Sequence, residues 1–198
     1  MAISKTNIIN KSLLLIGASP ITSIDDGSNT ANLISGLYEI SLKSVLSECK
    51  WNFATKRSAL STSSTTSLGF YDVGETIIYD KPSDMVRIFD VSPKSAVFRE
   101  EGDLIISDSS DLAVRYVYYL EDTTKYSIYF IDALADRLAS EIAFPIVNDK
   151  SLTAIMMDKY EKISLPKAKS MNSQTGKHQV LVDDAWEVAK YFDTQHDS

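Results

Sequence analysis

Cysteine is almost absent: Cys49 is the only one in 198 residues. An intrachain disulfide and a multi-cysteine zinc site are both excluded. Histidine is nearly as scarce. His178 and His196 both lie in the C-terminal segment, so a Ser-His-Asp or Cys-His arrangement would have to draw its base from there. Clustered basic residues are missing too. The densest stretch, Lys159 to Lys169, is interrupted by Glu161 and holds no Arg, whereas tracking nucleic-acid phosphates needs grouped Lys and Arg. The formal net charge of −7 suits ordinary solubility, and equally a conduit that DNA crosses without sticking. The apolar run Leu13 to Ile16 is too short for a signal peptide or a membrane span. A soluble protein made in a cytoplasm, with no membrane partner, is the expectation.

The usual signatures of chemistry are also lacking. There is no G-x-S-x-G elbow, phosphate-binding P-loop, G-x-G-x-x-G or H-E-x-x-H. Acidic pairs occur at Asp25-Asp26, Glu100-Glu101, Glu121-Asp122 and Asp183-Asp184. Each falls in a turn-like or polar stretch with no apolar pocket beside it to raise a carboxyl pKa. The run Asp25 to Asn29 lacks the alternating ligands and distal Glu of a calcium loop, so it reads as a turn and helix cap. Cys49 reads as an inert thiol on an apolar helical face. No catalytic residue, cofactor or metal is expected.

What is present is a pattern of helices interrupted by strands. Residues 5–17 carry Ile9, Leu13 and Ile16 at helical spacing, with Gly17 placed to end the helix. A helix over 29–50, capped by Ser28 or Asn29, has two apolar stripes. Ala31, Tyr38, Leu42, Val45 and Cys49 form one; Leu33, Leu37 and Ile40 form the other. Two stripes predict burial on two sides, in a bundle or against a neighbouring subunit. Trp51 and Phe53 follow as an aromatic lock on the helix end. The Ser/Thr-rich run 58–67 reads as a flexible loop.

From about 70 to 120 the period shortens. The β-prone runs 76–79, 85–91, 96–98, 104–107 and 112–119 are separated by turn chemistry such as Lys81-Pro82-Ser83-Asp84. Helical period returns over 127–147, with Pro145 expected to bend or end it. It resumes over 149–171, with Leu152, Ile155, Met156, Tyr160 and Ile163 on one side and Pro166 expected to kink it. The expected fold class is α+β. A helical bundle body would carry an antiparallel β lobe inserted at about 70–120, or about 58–125 with its linkers. Residues 1–176 would form a single domain and 177–198 an extended tail. That tail holds Val180, Leu181, Val182, Trp186, Val188, Tyr191 and Phe192, too sparse for a core of its own, so its aromatics need a partner. The chain is also rich in tyrosine, with 10, a residue suited to surfaces that become buried on assembly.

Four segments together resemble the tail tubular protein A family, the head-to-tail adaptors of short-tailed bacteriophages. They are Asn10-Lys-Ser-Leu-Leu-Leu-Ile-Gly-Ala18 followed by Pro20-Ile-Thr-Ser-Ile-Asp25; the helix 29–50 running into Trp51-Asn52-Phe53-Ala54; Tyr79-Asp80-Lys81-Pro82-Ser83-Asp84-Met85-Val86-Arg87; and Phe130 to Ala143 followed by the helix 149–171. In the third, Lys81 stands where the family has Leu. The likeness covers most of residues 5–175. It implies a non-enzymatic virion protein assembled in the host cytoplasm. About twelve copies would form a ring between the portal and the tail nozzle protein, with DNA passing through unbound. On this reading Leu33, Leu37, Tyr38, Leu42 and Val45 supply core or subunit interface, and Trp186, Tyr191 and Phe192 dock on the portal. The alternative is a tail-associated hydrolase of glycans or cell wall, which would need a paired-carboxylate cleft.

Overall fold

Four side chains begin the helices of this chain in the same way. The hydroxyls of Ser4, Ser28 and Ser127 accept the backbone N–H of Asn7, Ala31 and Phe130 at 3.2, 3.1 and 3.2 Å. The Asp149 carboxylate accepts from Ser151 and Leu152 at 2.8 and 3.1 Å. Each satisfies N–H groups that the first helical turn leaves unpaired. The helices so started are α1 (Lys5–Leu15), α2 (Asn29–Ser47), α3 (Ile128–Val147) and α4 (Lys150–Lys159). A π turn, Tyr160–Ser164, leads from α4 directly into α5 (Leu165–Gln174). These assignments come from a computed structural model, which describes residues 3–65, 67–70, 74 and 76–175.

The chain is mixed α/β. Between α2 and α3 lie the strands β1 (Thr55–Ala59), β2 (Ile77–Asp80), β3 (Met85–Ser92), β4 (Phe98–Glu101), β5 (Leu104–Ser107) and β6 (Ala113–Tyr118). They form two antiparallel three-stranded sheets, ordered β1-β6-β3 and β2-β5-β4.

Helix α3 is the hub. Phe130, Ile131, Leu134, Leu138 and Ile142 are buried, and so are Ala133, Ala135, Ala139 and Ala143. The helix packs against α1, α2, α4, α5 and the π turn. A helix apolar nearly all round is one surrounded by partners. The first sheet contributes to two cores, one on each face. Val117 of β6 belongs to the helical core, while Val114 and Tyr116 form a second cluster with Tyr79 and Ile105 of the other sheet. Strand β3 serves both clusters by bulging twice. Val86 and Phe89 have no partner in the register with β6. These two extra residues are the ones that pack on the helical core, while Met85, Ile88 and Val91 face the second sheet. Two bulges turn the strand's period from two into three.

Several sequence expectations need correction. The helix expected over 29–50 stops at Ser47, so Cys49 and Lys50 lie beyond it. The first helix ends at Leu15, and Gly17 sits in the following turn with φ +75°. Pro145 does not end α3; the helix continues to Val147 and stops at Asn148, which is left-handed at φ 57°. The N–H of Asn148 donates to Phe144 at 2.8 Å. The helix expected over 149–171 runs to Gln174 and is interrupted by the π turn. There Leu165 N–H reaches back to the Tyr160 carbonyl, and Pro166, which has no N–H to give Lys162, follows at the start of α5. Residues 58 and 59, read as loop, belong to β1, and the 96–98 run is displaced to Phe98–Glu101.

Candidate interaction surfaces

The two stripes of α2 have opposite fates. Leu42 and Val45 are fully buried and Tyr38 is nearly so. Burial among Tyr119, Glu121 and the core pushes the Tyr38 phenol far above its ordinary value. On the other stripe Leu37 is half-buried, Leu33 is exposed, and Ile40 is 63% exposed. The first stripe belongs to the α2–α3 interface; of the second, Leu37 leans on the core while Leu33 and Ile40 have no cover within the described residues. Helix α4 and the π turn show a similar split. Met156 and Tyr160 are buried, but Ile155 and Ile163, expected on the same side, are 58% and 60% exposed.

The end of α2 is fixed by three groups. Trp51 is fully buried, and its indole Nε1 donates to the Val45 carbonyl at 2.9 Å. Its ring meets Phe130 edge-on at 5.0 Å; half-buried Phe53 and buried Tyr126 each meet Phe130 at 4.9 Å. Arg87 donates from Nη1 to the Ser47 carbonyl at 2.9 Å, a cation at the carbonyl end of the helix. Asn172 of α5 closes the corner, donating to Lys50 O at 2.7 Å and accepting from Asn52 N at 2.9 Å. The Cys49 thiol is half-buried there, and desolvation raises its pKa, outweighing the nearby Lys169 and Arg87.

Beside this corner is an apolar groove of ≈ 500 Å³, lined by Phe53, Tyr126, Ile128, Tyr129, Met171 and Thr175 among others. Ile128 is 53% exposed. The described chain ends on its rim at Thr175. Trp186, Tyr191 and Phe192, together with His178, His196 and the Asp183-Asp184 pair, lie outside the described residues.

A second cleft, ≈ 200 Å³, separates α1, α3 and the π turn. Asp136 is buried in its wall, paired with Lys159 at 2.8 Å and accepting from the Ser164 hydroxyl. Lys11 pairs with Asp132, and Lys167 lies 5.3 Å from the centre of the Tyr129 ring. Every one of these charges is engaged, so the arrangement ties α3 to the π turn and to α1. Sequence reading passed over it. The available signal was an Asp between Ala135 and Ala139 in the helical stripe of small residues, a placement that demands a partner.

The acidic pairs are dispersed. Asp26 accepts from Ser28 N at 2.9 Å in an exposed turn, and these hydrogen bonds lower its carboxyl. Glu100 pairs with Lys81 and Glu101 with Arg99, both at 2.8 Å at the exposed end of β4. Asp122 caps the short 3-10 turn Thr123–Lys125 through Thr124. Among the described residues no group of three His, Cys, Asp or Glu could hold a metal ion. No described helix is long and apolar enough to cross a membrane. No model of a known protein family matches the chain, and no curated protein matches it either.

Proposed function

We propose that this chain is a ring-forming structural adaptor of a short-tailed bacteriophage, located in the virion tail between portal and nozzle. The observation that carries this reading is the outer stripe of α2. Leu33 and Ile40 stand exposed on a long helix whose opposite face is fully packed, alongside the four segments that resemble the tail tubular protein A family. A neighbouring copy in a head-to-tail arrangement would cover that stripe, and such heterologous contacts close into a ring when the rotation closes. In this reading α1–α5 are the ring body, the paired sheets are the inserted lobe of a single domain over 1–176, and residues 177–198 are the docking tail. Trp186, Tyr191 and Phe192 are its anchors, since buried aromatics dominate the energetics of protein interfaces. The role is binding rather than catalysis, needs no cofactor, and lets DNA pass without sequence-specific contact.

The experiment is negative-stain electron microscopy of the full chain alone and mixed with purified portal rings. Rings stacked on portal support the proposal. A chain that stays monomeric and leaves portal particles unchanged at micromolar concentration refutes it.

A further inference from the structure

Three features compete for a role that the adaptor reading does not absorb. The Asp136 cleft is internally paired and complete. Nothing among the described residues shows what covers the groove at Thr175. The third lies on the first sheet and carries an argument of its own, independent of the adaptor reading.

In the register of that sheet Arg57 of β1 stands directly opposite Arg115 of β6, and Arg115 stands opposite Asp90 of β3. Directly opposed residues share a face and sit about 5 Å apart at their Cβ atoms, where like charges repel. Three residues therefore form one row across the sheet, Arg57, Arg115, Asp90. Asp90 serves Arg115 only at 3.6 Å and is also held by Lys94. Arg57 is exposed, and its side chain has no ion-pair or hydrogen-bond partner among the described residues. The local sum is three cations and one anion on a chain whose net charge is −7. The next row on the same face is Ala59, Ala113 and Ser92, side chains so small that they leave a floor. The result is a cleft of ≈ 310 Å³ lined by Arg57 and Arg115, with Asp90, already held by Lys94, at its edge.

We propose that the Arg57–Arg115 cleft is a phosphate-binding site. Two adjacent guanidinium forks supply more parallel N–H donors than a planar carboxylate has oxygens to accept, whereas a tetrahedral phosphate presents oxygens to both. A bound phosphate anion converts the unfavourable Arg–Arg juxtaposition into a clamp. The phosphate is either free or carried on a nucleic-acid backbone; both have the chemistry the cleft reads.

The test is thermal melting of the full chain in sodium phosphate against sodium chloride at equal ionic strength and pH. Phosphate stabilises folded chains generally by exclusion from their surfaces, so the reading is the difference between wild type and variants. The wild-type chain gains a saturable stabilisation with phosphate. Arg57→Gln and Arg115→Gln each lose the saturable part, and Arg57→Gln melts no lower than wild type in chloride because it removes a repulsion. Fluorescence anisotropy with a short single-stranded DNA and a short duplex at low salt separates the sources. Binding weakened ten-fold or more by Arg57→Gln assigns the site to backbone phosphate. A phosphate response with no oligonucleotide binding assigns it to the free anion. A wild-type response equal to that of the Arg57→Gln/Arg115→Gln double variant overturns the proposal.

Discussion

The indole Nε1 of Trp51 donates to the carbonyl oxygen of Val45 at 2.9 Å, from a position just beyond the end of the helix it caps. Val45 is in the last turn of α2, where carbonyls run out of intrahelical partners. The same ring packs edge-on against Phe130, so one side chain ends α2 and seats it on α3. Trp51→Phe should keep most of the packing but leave the Val45 carbonyl with only the longer bond from Glu48 N at 3.3 Å, at a cost of about 1 kcal/mol. Trp51→Ala should cost about 3–5 kcal/mol through the cavity it leaves. Urea denaturation of both variants measures the two costs, and equal losses would mean that the hydrogen bond contributes nothing.

Asp84 makes stability depend on acid. It sits just before β3, accepts from the Tyr116 hydroxyl at 3.0 Å and pairs with Lys56. Partial burial works to raise its pKa, but the hydrogen bonds from Lys56 and Tyr116 outweigh burial and leave the carboxyl below its ordinary value. The Tyr116 phenol is pushed up to about 12 by burial and by the same carboxylate. A carboxyl depressed in the folded state binds its proton less readily than in the unfolded chain. Its contribution is therefore complete above the unfolded value and is lost as pH falls through the folded one. Asp84→Asn should lower the melting temperature at neutral pH, and its gap from wild type should close as pH falls from about 5 to about 2. A gap that stays constant over that range would place the effect in packing instead.

Helices were legible in the sequence because each is written with a cap and a stripe. Ser28 followed by Ala31, Tyr38, Leu42 and Val45 needs nothing from elsewhere in the chain to be read. Strand β1 was not legible. Thr55–Ala59 contains Lys56, Arg57 and Ser58 and no alternating apolar face. It is a strand because β6 offers an edge to pair with, a long-range fact that local composition does not hold. The same limit hid the Arg57–Arg115 row. The two residues are far apart in sequence and meet only through register. Pro145 is carried inside α3, close to the expected 127–147, because the packing of α3 on four other helices outweighs one lost backbone hydrogen bond. The double bulge of β3 also escaped, because it replaces the period of two by which strands are recognised.

The Asp136–Lys159 pair is asymmetric, and its variants should be too. The Asp136 side chain is 4% exposed and that of Lys159 is 37% exposed. Lys159→Met leaves a buried carboxylate with only the Ser164 hydroxyl, a loss of about 2–3 kcal/mol once the exposure of the lysine is discounted. Asp136→Asn keeps an acceptor for Ser164 and frees a lysine that already reaches water, so it should cost under about 1 kcal/mol. Combining the two removes the stranded charge, and the double variant should be more stable than Lys159→Met alone. Chemical denaturation of the four proteins closes this cycle. Strict additivity would mean that the two side chains do not act as a pair.

The two stripes of α2 allow folding and assembly to be separated on one helix. Leu42 is fully buried, so Leu42→Asp places an unpaired charge in the core and should unfold the chain. Ile40, two residues away, is 63% exposed. Ile40→Asp should shift the stability of the isolated chain by no more than about 0.5 kcal/mol. If a neighbouring copy covers the outer stripe, the same substitution buries a charge at every subunit contact of the ring, and a repeated contact multiplies its effect. Sedimentation velocity should then find Ile40→Asp folded but monomeric under conditions in which the unaltered chain forms rings. Leu33→Asp, on the same stripe, should behave alike. Rings that form normally from both variants would remove α2 from the interface and, with it, the physical support for a ring built on this helix.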